Sequence, residues 1–178
     1  LVTDPGLMKA GVVERALAGL GESGAGFVVY EGVHPNPIEA DVEAGAAFYN
    51  EHNCDGLLAL GGGSAMDVAK VIRFFASHSA PLAQYSVLEN RGAKIKGALP
   101  PMYAVPTTAG TGSEVGRGAV ITLRDTGRKT LFVAPPLMPT IAVLEPALTV
   151  GLPPYLTAAT GIDAFTHCLE SYFAPVYH

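Results

Sequence analysis

The 178-residue chain has no tryptophan, only two cysteines, and few charges: Asp, Glu, Lys and Arg together make up 15% of it, against roughly 25% in an ordinary soluble domain. Each shortage excludes something. Cys54 and Cys168 are too few for a disulfide scaffold, so a reducing cytoplasm is the expected compartment. Eleven basic residues against 16 acidic ones give a net charge of -5, which argues against a basic groove and a nucleic-acid partner. No apolar run reaches the roughly 18 residues of a membrane span, and no signal peptide opens the chain. With so little charge, much of the surface is expected to be covered. Leu1 to Gly6 reads like the end of a strand with no initiator Met, so the chain is expected to be a piece of something longer. What is abundant is apolar side chain, 49% of the residues. That excludes a disordered chain and suffices for one substantial core.

Short apolar runs alternate with helical patterns, the signature of an α/β protein with a parallel sheet covered by helices. Val2-Thr3 ends a first strand, and Leu7 to Leu20 reads as a helix closing at Gly21. Phe27 to Tyr30 is a second strand, separated from the next helix by His34-Pro35-Asn36-Pro37. Ile38, Val42, Ala46 and Tyr49 mark one face of that helix, from Ile38 to His52. Leu57 to Leu60 is a buried strand, and Ala65 to His78 a helix with Val68, Ile72 and Phe75 on one stripe. Residues 79–101 read as a long polar loop. Met102 to Val105 is a strand, Ala119 to Leu123 and Thr130 to Val133 a hairpin around Asp125-Thr126-Gly127, and Ile141 to Leu144 a last strand. After Gly151 the texture turns helical, from Pro153-Pro154 to Phe173, with Gly161 as its weak point. Residues 1–150 therefore read as one domain, and 151–178 as the start of a second, all-helical one.

Three places carry chemistry. At Gly61-Gly62-Gly63-Ser64, successive glycines let backbone N–H groups approach an anion, and the following helix points its positive end there. Ser64 is a candidate N-cap and phosphate donor. Asp67 either closes a capping box or faces the ligand; a plain tight turn is the alternative for the whole loop. The Gly-x-Gly-x-x-Gly fingerprint and the P-loop are both absent. Pro106 to Glu114, with Thr107, Thr108 and Thr111, is a polar loop just after a strand, suited either to a ligand at the sheet's carboxyl edge or to side-chain turns. Asp163 and His167, at i and i+4, project from one helix face and form either a surface ion pair or half of a metal site. His34, His52, His78 and His178 have no evident ligating neighbours, and Cys168 reads as core.

In order and spacing, these segments resemble the iron-containing (group III) alcohol dehydrogenase family: Thr3-Asp4-Pro5-Gly6, Asn36-Pro37, Gly61 to Lys70, Pro106 to Val115, Leu152-Pro153-Pro154 and Ala159 to His167. The resemblance implies a Rossmann-like parallel sheet with helices on both faces, binding NAD or alternatively NADP, followed by an all-helical metal-binding domain. It assigns the pyrophosphate to Gly61, Gly62, Gly63 and Ser64, with Asp67 beside them, and the cofactor cleft to Thr107, Thr108 and Thr111. Asp4 is placed beside the adenosine ribose, with Lys129 as a basic position near it. Asp163 and His167 match two of four ligands to Fe2+, or alternatively Zn2+; the family's other two are histidines further along. One departure is Gly116-Arg117-Gly118, where the family often carries a polar residue.

The implied activity is hydride transfer between the nicotinamide and a small alcohol, aldehyde or ketone, with the metal polarising the substrate oxygen. With two of four ligands the chain itself is expected not to turn over; the alternative is an isolated dinucleotide-binding module. The stripe Leu156, Phe165, Leu169 and Phe173 is expected to fold back on the first domain or to pair with a second copy as a homo-oligomer.

Overall fold

The computed structural model describes residues 1–21, 24–90 and 94–175. Strands β1 (Leu57–Gly61), β2 (Met102–Pro106) and, after the hairpin, β5 (Ile141–Ala142) form a parallel sheet in the order β1-β2-β5. The sheet continues past β1 through single parallel bridges, Ala59 to Val2 and Val2 to Tyr30. Hydrogen bonds Val2 N–H to Leu58 O and Leu60 N–H to Val2 O, 2.8 and 3.0 Å, tie the first segment to β1. The spatial order is thus Tyr30 segment, Val2 segment, β1, β2, β5, a doubly wound arrangement that reverses between the Val2 segment and β1.

Alternation along β1 builds two cores. Leu57 and Ala59 join a cluster with Val42 and with Met66, Val68, Ile72 and Phe74. Leu60 points to the other face, where Val12, Val13 and Val105 wait. The first face carries α3 (Glu39–Glu51) and α4 (Gly63–Phe75), the second α2 (Val12–Gly21). Helices on both faces are what a buried parallel sheet requires. An antiparallel hairpin, β3 (Gly118–Thr122) with β4 (Lys129–Val133), sends Ala119, Ile121 and Phe132 into the α4 core from outside the sheet. A short α5 (Val87–Asn90) precedes β2, and α6 (Pro154–Phe173) ends the described chain. No described helix is long and apolar enough to cross a membrane.

Several sequence expectations shift. The helix from Leu7 is really two, α1 (Pro5–Lys9) and α2, because Gly11 adopts φ +68 and breaks the hydrogen-bonded run. Phe27 to Tyr30 pairs as strand only at Tyr30, since residues 1–3 offer so short a partner. The last strand stops at Ala142, and Leu144 is already exposed ahead of a turn at Pro146. Residues 79–101 are no simple polar loop: Leu82, Tyr85 and Ile95 are buried in the larger core. Gly161 leaves α6 unbroken. That helix buries no residue within the chain, so its apolar stripe does not fold back on the first domain, and Cys168 is exposed rather than in a core.

Two cations lie inside instead. Arg73 donates to the carbonyls of Pro100, Pro136 and Met138. Lys70, with no exposed surface, donates to Ser113 O, Ser113 Oγ and Gly118 O at 2.6–2.8 Å.

This packing has two measurable outcomes. A Cβ at Gly45 would collide with Ile72 and sit 3.1 Å from Tyr30, so Gly45→Ala is expected to lower stability by about 1–3 kcal/mol in urea denaturation. Burial pulls the Lys70 ammonium from 10.5 down to about 8, against the opposing pull of Asp67 and Glu114. Between these values the unfolded chain holds a proton that the folded chain has released, so this group makes stability rise with pH. The stability of the wild type relative to Lys70→Met should therefore increase between about pH 8 and pH 10.5; a flat difference would contradict it.

Candidate functional site

The order reversal between the Val2 segment and β1 opens a crevice at the strands' carboxyl ends, where doubly wound sheets take ligands. Asp4 stands on one side of it as the N-cap of α1, its Oδ1 accepting from Leu7 N–H at 3.1 Å. Gly61 ends β1 on the other, and a Cβ there would lie 3.6 Å from Asp4 Oδ2 and 2.7 Å from Ala65 Cβ. At φ +157 the position suits only glycine.

Gly62, not Ser64, is the N-cap of α4, and it offers no side-chain cap. The three glycines give no sign in the sequence of where the loop stops and the helix begins. Ser64 is the second helical residue, which leaves the first-turn N–H groups without a side-chain acceptor. An uncapped helix start over a crevice is an anion site in waiting. The glycines also let two loops touch: a Cβ at Gly63 would sit 2.9 Å from Thr111 Cγ2, and one at Gly62 3.5 Å from Thr108 Oγ1.

The threonines divide by role. Thr107 is buried and its N–H donates to Gly61 O at 2.9 Å, continuing the β2 pairing. Thr111 Oγ1 accepts from Ser113 N–H at 3.2 Å, a side-chain turn. Thr108 Oγ1 is buried with no partner. A buried hydroxyl left unpaired is costly, and here it lies beside Gly62, where a diphosphate oxygen would satisfy it.

Asp67 makes no capping box. With Gly62 as cap it lies beyond the first turn, accepting from Ser113 Oγ at 2.8 Å and Val120 N–H at 2.9 Å. Burial raises its carboxyl above the usual range, against those two bonds and the Lys70 charge.

A cavity of about 600 Å³ opens beside the glycine loop, lined by Gly63, Ser64, Asp67 and Thr111 on one side and by Lys129, Asp163 and His167 elsewhere. Asp4, Gly61, Gly62, Thr107 and Thr108 lie outside this lining, along the crevice. Lys129 therefore shares a cavity with Asp163 and His167 and not with Asp4. Its Nζ donates to Asn36 Oδ1 at 2.6 Å. Asn36 is held at φ +58 by a loop that Asp41 anchors, accepting from the N–H groups of His34 and Ile38 and contacting His34 Nδ1 at 2.7 Å. His34 thus has a partner that the sequence reading missed. An acid in the first turn of α3, three residues after Ile38, was the available signal.

Asp163 Oδ1 and His167 Nε2 are 3.8 Å apart on α6, both side chains about half exposed. A carboxylate oxygen and an imidazole nitrogen suit Fe2+ or Zn2+, and they fill two positions. Among the described residues no group of three or more His, Cys, Asp or Glu forms. α6 reaches this place by resting on the threonine loop: a Cβ at Gly110 would lie 2.5 Å from Thr160 O.

Residues 1–146 match the iron-containing alcohol dehydrogenase family. Along its whole length the chain is 48% identical to 4-hydroxybutyrate dehydrogenase of Cupriavidus necator, spanning 46% of that protein. The crystal structure of a 1,3-propanediol oxidoreductase superimposes with a TM-score of 0.89 at 41% identity, over 96% of this chain and 44% of that one. Sulfoacetaldehyde reductase from Bifidobacterium kashiwanohense, solved in complex with NAD+, does so with a TM-score of 0.84 at 34% identity, over 97% and 45%. The chain spans less than half the length of these relatives. Sequence, fold and order of motifs agree, and the chain belongs to the iron-containing alcohol dehydrogenase family.

Proposed function

We propose that this chain is the dinucleotide-binding part of an NAD-dependent oxidoreductase acting on a small alcohol or aldehyde, with residues 1–150 as the nucleotide domain and 151–178 beginning a helical metal-binding domain. The observation that carries the reading is the uncapped start of α4, facing a crevice that leads into a cavity with Asp163 and His167 on its wall. When bound, the nicotinamide would exchange a hydride with the substrate carbon while a divalent metal polarises the substrate oxygen.

The chain's own residues hold and orient. The first-turn N–H groups at Gly63 and Ser64 bind the diphosphate, with Thr108 Oγ1 donating to it. Thr107 fixes the threonine loop against Gly61, and Asp4 accepts from the adenosine ribose hydroxyls. Lys129, braced by Asn36, presents a cation inside the cavity, opposite the acidic Asp67. Asp163 and His167 hold the metal from one helix.

Fluorescence titration of NADH against the chain tests the reading. Gly63→Val, which forces the glycine and threonine loops apart, should weaken binding by about tenfold or more, equivalent to ~1.4 kcal/mol. Asp4→Gly removes a carboxylate that repels a 2′-phosphate, so it should improve NADPH affinity relative to NADH by about tenfold. Wild-type preference for NADPH, or indifference of NADH binding to Gly63→Val, would count against the assignment.

A further inference from the structure

Between Ala109 and Gly118 no residue is buried, and Val115 is 63% exposed. Packing does not place this segment, which has glycine at 110, 112, 116 and 118. Five hydrogen bonds tie it, together with the first residues of β3 that also pair with β4, to α4. The Lys70 ammonium has three N–H donors and spends all of them on Ser113 O, Ser113 Oγ and Gly118 O. Asp67, one turn earlier on the same helix face, takes the Ser113 hydroxyl and the Val120 N–H. Ser113 Oγ thus accepts from the lysine and donates to the aspartate.

We propose that Lys70, acting with Asp67 through Ser113, is a positioning residue that fixes segment 113–120 as one wall of the cavity, at a set distance from the glycine loop on the same helix. The proposal rests on the dinucleotide reading above and extends it to the nicotinamide half of the cofactor. Stability alone is a poor reason for the lysine, since an apolar side chain of similar volume commonly serves a buried site as well or better. What a methionine could not do is hold three oxygens at fixed places. The glycine loop and the clamped segment share α4, so the walls that would enclose the diphosphate and the nicotinamide move as one body. The adenosine half would lie beside Asp4 and Gly61, and the clamp touches neither these nor Thr108.

The test compares wild type, Lys70→Met and Ser113→Ala in the 178-residue chain. Backbone hydrogen exchange is read over residues 112–120, and affinities are measured for NADH and for ADP, which lacks the nicotinamide half. Lys70→Met should speed exchange in 112–120 by about tenfold and weaken NADH by about tenfold, with ADP binding held within about twofold. Ser113→Ala, which deletes two of the five bonds without altering a core residue, should give the same pattern at smaller size, and carries the comparison if the lysine variant fails to fold. Unchanged exchange, or parallel losses of NADH and ADP, overturns the proposal. If the wild type binds neither nucleotide, the dinucleotide reading fails, and the exchange result alone decides whether the clamp exists.

Discussion

Burial of α4 on nearly every side is the constraint on which the rest of the structure depends. Ala65, Met66 and every residue from Val68 to Phe74 are buried, against the sheet, α3 and the hairpin together. A helix so enclosed cannot slide or roll without disturbing all its neighbours. Its N-terminus therefore stays where β1 delivers it, and the crevice inherits that fixity. Functional geometry here is borrowed from the largest core.

The second consequence of that enclosure is chemical. Beyond its first turn the helix has little solvent face, so Lys70, Arg73 and Asp67 turn to backbone groups and to the Ser113 hydroxyl. Arg73 gathers the carbonyls before β2 and after the hairpin, while Lys70 and Asp67 gather Ser113, between β2 and β3, and the start of β3. The polar residues of α4 thus organise loops that have little apolar surface of their own.

This also explains what could be read in advance. β1, the glycine loop and α4 were legible because a short apolar run, three glycines and a helical stripe succeed one another without interruption. The hairpin was legible from two short runs around Asp125-Thr126-Gly127, and Ala119, Ile121, Thr130 and Phe132 are its buried residues. Asp163 and His167 stood out by spacing alone. What stayed hidden was set by distant partners or by backbone angles. Lys70 and Ser113 are 43 residues apart, and a lysine in a helix looks solvent-facing until its acceptors are known. Periodicity runs straight through Gly11 although the chain turns left-handed there. The polar stretch before β2 conceals Leu82, Tyr85 and Ile95 because three buried side chains among many exposed ones leave no period.

The seating of α6 on the threonine loop has a mechanical meaning. Gly110 meets the helix at the Thr160 carbonyl, leaving no room for a side chain, so this contact sets how close the helix comes to the loop. At a rise of about 1.5 Å per residue, Asp163 lies roughly 4.5 Å along the axis from it and His167 roughly 10.5 Å. A tilt of about 10° would displace the carboxylate by under ~1 Å and the imidazole by about 2 Å. Of the two side chains, the carboxylate lies nearer the Gly110 contact and the imidazole farther along the helix. Any change of tilt about this contact is therefore read more strongly at the imidazole than at the carboxylate, although both line the same cavity.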